Sequence, residues 1–159
     1  MEKLTHKDLV EIGYKWVMSR CGVAFKELNA ATGNGEIPDV IGFNSGESFL
    51  IECKATRNDF LSDKKKSFRM RPETGMGKFR FYLCRKGLIT LGDLPENWGL
   101  IYVNENGKAK CVYNPYGRGN IYSNWNCFQR DILAEQRLMY SALRRLQLRG
   151  RINEIYDKL

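Results

Sequence analysis

Three observations predict a single α/β domain with a central mixed sheet, flanking helices and a long C-terminal helix. The 159 residues suffice for one core, burying roughly two-thirds of the unfolded surface, and leave no room for a second full domain. Apolar residues recur at helical spacing near both ends of the chain, and between them lie six short β-branched and apolar segments separated by polar turns. No internal repeat, linker or low-complexity tract interrupts the pattern, so these elements form one unit over residues 1–159.

Taken in order, Thr5 followed by Asp8 makes a capping-box pattern, after which Leu9, Ile12, Gly13, Trp16 and Val17 share one helical face. A first helix over about residues 6–20 follows. Val23–Leu28, Ile37–Phe43 and Ser48–Ala55 read as strands, the last two joined by the polar connection Asn44-Ser45-Gly46-Glu47, which suits a hairpin. Arg57–Lys66 is charged but keeps Phe60 and Leu61 for packing, which predicts a short helix before a basic loop at Ser67–Lys78.

Strands return at Phe79–Cys84, Leu100–Val103 and Ala109–Tyr113, with Asn106-Gly107 as the hairpin turn between the last two. Residues Asp93 to Asn97 form a turn around Pro95, and Asn114–Asn126 reads as a loop. Phe128, Ile132, Met139, Leu143 and Leu146 then repeat at helical spacing, predicting a helix to about Arg149, with Gly150 placed to end it and a last short turn at Ile152 and Ile155.

Composition narrows the function classes. A net charge of +8 and a pI near 9.3 favour a polyanionic partner, because phosphates attract such a chain without regard to sequence. Nucleic acid is preferred over an anionic membrane, since the basic residues form no amphipathic membrane helix. No apolar run approaches the roughly 18 residues of a membrane span, and the N-terminus has no secretory pattern, so the expected location is the cytoplasm. Five scattered cysteines without a CxxC pair, together with a lone histidine, His6, argue against a disulfide framework and a zinc site.

One constellation carries chemistry. Alternation along the third strand puts Leu50, Glu52 and Lys54 on one face, and Ile51, Cys53 and Ala55 on the other. A hairpin centred near residue 45 or 46 sets Asp39 opposite Glu52. Clustered carboxylates with an ammonium group beside them are what metal-assisted phosphodiester hydrolysis requires: the acids hold a hard cation, and the lysine orients water or offsets developing negative charge.

Pro38-Asp39, twelve intervening residues and Glu52-Cys53-Lys54 resemble the signature of the PD-(D/E)XK nuclease superfamily. The predicted order of helix, strand hairpin, helix and strand over residues 6–84 is similar to that superfamily's restriction-endonuclease-like core. The segment IECKATRNDFLSDKKKSFR resembles the small MmcB-like DNA-repair and phage branch. The resemblance implies a metal-dependent DNA endonuclease in which Asp39 and Glu52 ligate Mg2+ or Mn2+, with the backbone carbonyl of Cys53 as a further ligand. Lys54 would assist the nucleophilic water. A further acid is expected from Glu11, Glu27 or Glu36. Glu11 opposes the apolar face of its helix and Glu27 sits on a strand beside the site, which favours Glu27.

Each of these residues also has a plainer reading. Glu52 and Lys54 could be solvent-facing positions of an edge strand. Lys64, Lys65, Lys66, Arg69, Arg71, Lys78 and Arg80 could track a nucleic-acid backbone or form a solvated face, while Asp59 and Asp63 could support the site or be helix-start and surface acids. Arg137, Arg144, Arg145, Arg149 and Arg151 fit the polar face of the last helix. Tyr113, Tyr116, Tyr122 and Trp125 could stack on bases or anchor their loop, and His6 fits a capping or exposed role. Beside the endonuclease stand a non-catalytic nucleic-acid-binding module of the same fold and an RNA- or structure-selective nuclease. A homodimer would match the symmetry of a duplex substrate.

Overall fold

Thr5 opens the first helix with a reciprocal cap: its hydroxyl accepts from the Asp8 N–H at 3.2 Å, and the Asp8 carboxylate accepts from the Thr5 N–H at 2.7 Å. Helix α1 then runs over His6–Met18 and buries Leu9, Val10, Gly13, Trp16 and Val17. The computed structural model describes residues 3–118 and 122–159. Met1, Glu2 and residues 119–121, which belong to the predicted 114–126 loop, lie outside the described residues.

Strands β1 (Val23–Lys26), β2 (Val40–Asn44), β3 (Glu47–Lys54), β4 (Phe79–Arg85), β5 (Gly99–Val103) and β6 (Ala109–Tyr113) form one sheet in sequence order. The pairs β1–β2, β2–β3 and β5–β6 are antiparallel, whereas β3–β4 and β4–β5 are parallel. The sheet is therefore mixed. Helices α2 (Arg57–Asp63) and α3 (Ser67–Met70) lie in the crossover between β3 and β4, and α4 (Ile132–Leu148) is the long C-terminal helix. Among the described residues no helix is long and apolar enough to cross a membrane.

Alternation along the central strands builds a core on each face of the sheet. Phe49, Ile51, Cys53, Phe79, Phe81, Leu83 and Ile101 pack with α1. Leu50, Tyr82, Cys84 and Leu100 pack on the other face with Phe60 of α2, Ile89 and Trp98, and Ile41 and Phe43 meet Met76 and the start of α4 there. Each fully buried Leu, Ile or Phe adds about 1.5–3 kcal/mol, so the two-sided burial of β3 to β5 dominates cohesion. Gly42 allows close contact: a Cβ there would collide with Val17 of α1 and crowd Cys21.

Several boundaries differ from the sequence reading, each for a local reason. Strand β1 stops at Lys26 because Glu27 enters the left-handed region at φ 46°. Strand β2 starts at Val40, not Ile37, since Pro38 has no N–H for a ladder. The predicted basic loop holds α3 and a 3-10 turn at Pro72–Thr74, fixed from within by Arg80, which donates to the carbonyls of Pro72 and Gly77 at 2.8 Å each. Helix α4 begins at Ile132, where the Asp131 carboxylate caps the Ala134 N–H at 2.9 Å. Phe128 stays outside it, its N–H donating to the Lys78 carbonyl at 2.9 Å. The face α4 buries is Ala134, Glu135 and Leu138, while Ile132 and Leu143 of the predicted apolar set are exposed.

The plain readings hold for two tyrosines. Tyr116 and Tyr122 pack edge-on or tilted against Phe79, at 5.0 and 5.3 Å between ring centroids. Tyr113 and Trp125 remain exposed. All five cysteines are free.

Candidate functional site

The β2–β3 register pairs Val40 with Ile51, so Asp39 lies one step beyond the ladder, opposite Glu52. At this step a side chain replaces the backbone partner. Asp39 Oδ2 accepts from the Cys53 N–H at 2.7 Å, and the Asp39 carbonyl accepts from the Glu27 N–H at 3.0 Å. These bonds fix the carboxylate just before β2, with Oδ2 held by the β3 backbone. The Cys53 thiol points into the α1-side core.

The other Asp39 oxygen, Oδ1, lies 3.5 Å from His6 Nε2, which is itself 3.0 Å from Glu27 Oε1. Ligand atoms of His6, Glu27 and Asp39 all fall within 4.8 Å of one another. Two of these side chains are half exposed, His6 at 44% and Glu27 at 51%. A hydrated cation could therefore reach all three. Left-handed backbone is uncommon for a non-glycine residue and costs of order 1 kcal/mol, and at Glu27 it occurs where the chain leaves β1 beside Asp39. Burial first, and then the Glu52 carboxylate, push Asp39 up to about 7. Lys54, His6 and the Cys53 N–H act in the opposite direction.

Glu52 and Lys54 share the face of β3 that looks toward α2, and Lys54 Nζ donates to Glu52 Oε2 at 3.0 Å. They belong to a buried charge network. Arg69 meets Glu36 at 2.7 Å, Glu52 Oε1 at 3.0 Å and Asp63 Oδ2 at 3.0 Å. Asp63 Oδ1 contacts Lys54 at 3.2 Å and Lys66 at 3.1 Å, and Asp63 Oδ2 also accepts from the Tyr82 hydroxyl at 2.8 Å. Glu36 takes the Met76 N–H at 2.7 Å. Burial alone would raise Asp63, but Arg69 and Lys54, with the Tyr82 hydrogen bond, outweigh it and hold that carboxyl well below the usual range. Burial opposes the charge on Lys54, yet Glu52, Asp63 and Asp39 more than compensate and keep it an ammonium. Glu36 is raised, by burial first, with Arg69 opposing.

The sequence placed Lys64, Lys65, Lys66, Arg69, Arg71, Lys78 and Arg80 on a possible phosphate track, and the structure removes two of them. Arg80 is fully buried, where burial lowers it to about 10, and its guanidinium serves backbone carbonyls. The Arg69 side chain is 4% exposed and neutralises three acids. Neither can meet a phosphate while those bonds stand. Lys64 donates to the Asp93 carbonyl and Lys78 pairs with Glu47, while Lys65 and Arg71 face solvent. Asp59 is the helix-start acid, capping Thr56, whereas Asp63 is a member of the network.

Of the three competing acids, Glu27 stands beside Asp39, Glu36 is sequestered by Arg69 and Glu11 pairs with Lys26 at 2.6 Å. Sequence reasoning assigned His6 a capping or exposed role; it is exposed at the first turn of α1, but its place next to Asp39 was not foreseen. No periodicity could have given it, because His6 and Asp39 approach only when α1 lies across the sheet. A further cleft, of about 780 Å³, adjoins the ends of β4 and β5 and is lined by Lys3, Arg85 and Lys86 among others. In open α/β sheets the carboxyl ends of parallel strands are the usual ligand-binding edge. Compared with known proteins, the chain matches no family model, no curated protein and no solved structure.

Proposed function

We propose that the protein is a divalent-metal-dependent nuclease that hydrolyses phosphodiester bonds in DNA, with Asp39, Glu52 and Lys54 at its centre. The observation that carries this reading is the position of Asp39: its carboxylate is fixed by the Cys53 N–H opposite Glu52, with Oδ1 3.5 Å from His6 Nε2 and the side chain 16% exposed. The donor set fits Mg2+ or Mn2+, which take carboxylate oxygens, and Asp39 and Glu27 each offer one within 4.8 Å of the other. When bound, such a cation supplies Lewis acidity and a more acidic water.

The chain's own residues supply the rest. Lys54, kept cationic by Glu52 and Asp63 but only 6% exposed, would offset negative charge on a phosphate or orient a water once one of those pairs opens. Glu52 has both oxygens engaged, one by Lys54 and one by Arg69, so its first role is to fix that ammonium next to Asp39. Direct ligation by Glu52 requires Arg69 or Lys54 to give up an oxygen. Lys65 and Arg71 on the surface, with the cleft of Lys3, Arg85 and Lys86, provide sequence-independent attraction to a phosphate backbone. An endonuclease in bacterial or phage DNA processing matches the motif resemblance.

The full engagement of Glu52 favours a second reading, a nucleic-acid-binding module without turnover. Cleavage of labelled duplex, single-stranded and branched DNA, with an RNA control, in Mg2+, Mn2+ or chelator separates the two. The nuclease predicts metal-dependent cutting that falls at least about a hundredfold in Asp39→Asn, with folding and binding kept. Folded wild type that binds DNA in a salt-sensitive way and cuts nothing supports the module instead.

A further inference from the structure

His6 is the only histidine of the chain, and it stands at the first turn of α1 with Nε2 directed at two carboxylates from different segments. Glu27 follows β1 and Asp39 precedes β2. The outermost of these three residues, His6 and Asp39, are 33 residues apart in sequence, and the three meet only through the packing of α1 on the sheet. His6 Nε2 lies 3.0 Å from Glu27 Oε1 and 3.5 Å from Asp39 Oδ1, one ligand atom of each residue falls within 4.8 Å of the others, and a cation with bonds of about 2.0–2.2 Å would fit among them after small rotations. His6 and Glu27 are 44% and 51% exposed, which leaves room for water as a further ligand.

We infer that His6 is a metal ligand, making this an imidazole–carboxylate site for a first-row transition ion rather than an all-oxygen Mg2+ site. Imidazole nitrogen favours the transition ions, whereas Mg2+ prefers oxygen and gives up its waters reluctantly. Glu52 is not needed for this first binding step, since Lys54 and Arg69 occupy its oxygens. The plain alternative is an imidazolium ion paired with two acids and binding no metal. The inference rests on the metal requirement of the nuclease reading, but its readout is binding, so the two can fail separately.

The test uses the full chain with MnCl2 and MgCl2. Calorimetric titration of the wild type should show Mn2+ binding at least about tenfold tighter than Mg2+. Losing a partner of a metal ligand costs about 10–100-fold in affinity, and losing the ligand itself should cost no less, so His6→Ala should weaken Mn2+ by that range. It should affect Mg2+ far less, and the Mn2+ to Mg2+ ratio should fall toward unity. With one histidine in the chain, the imidazole NMR signals of the wild type are assigned without mutagenesis. Substoichiometric Mn2+ should broaden them selectively, and Asp39→Asn should suppress that broadening. An unchanged ratio in His6→Ala, an undisturbed imidazole signal, or no Mn2+ binding at all would overturn the assignment. Mn2+ bound at His6 by a chain that cuts nothing leaves this inference standing and removes the catalytic one. Mn2+- or Mg2+-dependent cutting with no role for His6 does the reverse.

Discussion

Replacing Arg69 by methionine tests the charge network that surrounds Glu52. The methionine keeps much of the side-chain volume but leaves Glu36, Glu52 and Asp63 without the guanidinium that contacts them at 2.7, 3.0 and 3.0 Å. Removing one partner of a buried ion pair costs about 3–5 kcal/mol, because the remaining charge is desolvated and uncompensated. Lys54 still serves Glu52 and Asp63, and the Met76 N–H still serves Glu36, which keeps the loss from multiplying by three. For a chain of this size 1 kcal/mol moves Tm by about 2–4 °C, so Arg69→Met should melt about 6–20 °C lower at pH 7.5.

The effect should depend on pH with a definite sign. In the wild type, Asp63 is held low, so its stabilisation is present above its ordinary value of 3.8 and is lost as pH falls through its lowered folded value. In the variant the orphaned carboxyls are raised by burial, so their penalty grows as pH rises through the new values and disappears below them. The gap between the two proteins should therefore narrow from pH 7.5 to pH 5. Urea titrations followed by circular dichroism at both pH values measure it. A difference under about 1 kcal/mol, well below the range for a broken buried pair, or a gap equal at the two pH values would refute the network's role. Arg69→Lys should recover only part of the loss, because an ammonium lacks the planar fork.

Asp39 has the opposite linkage. Its carboxyl is raised from 3.8 to about 7, so the wild type should lose stability from this group as pH rises between those values. Asp39→Asn should lack that slope and be at least as stable at pH 8, as comparison of urea midpoints will show. Gly42→Ala should cost about 1–3 kcal/mol by overpacking, since its methyl would meet Val17 on α1; equal stability in thermal melts would deny the close approach. Lys65→Glu and Arg71→Glu should weaken binding of a DNA duplex and reduce the slope of log K against log salt by about one each, measured by fluorescence anisotropy across a salt series.

The hairpin was legible because alternation and turn chemistry act over a few residues. Asn44 to Glu47 set the turn, and a period of two then fixed both the register of Asp39 against Glu52 and the shared face of Glu52 and Lys54. The capping box at Thr5 and the Gly107 turn between β5 and β6 are equally local. Residues 67–78 were less legible, because what orders them is Arg80 reaching back to the carbonyls of Pro72 and Gly77. A basic run gives no sign of which of its charges are turned inward. Arg69 and Arg80 were placed on the surface with Lys65 for that reason.

The sequence by itself determined the α/β class, the strand pairing at the motif and the cation-rich character of the surface, all properties of residue type and short spacing. Only the tertiary structure decided the company each charged group keeps. His6 and Glu27 meet Asp39, and Arg69 joins Glu36, Glu52 and Asp63, because helices packed on a sheet bring together segments that are distant along the chain. Ion pairing depends on separations of a few ångströms, which the spacing of residues along the chain does not encode.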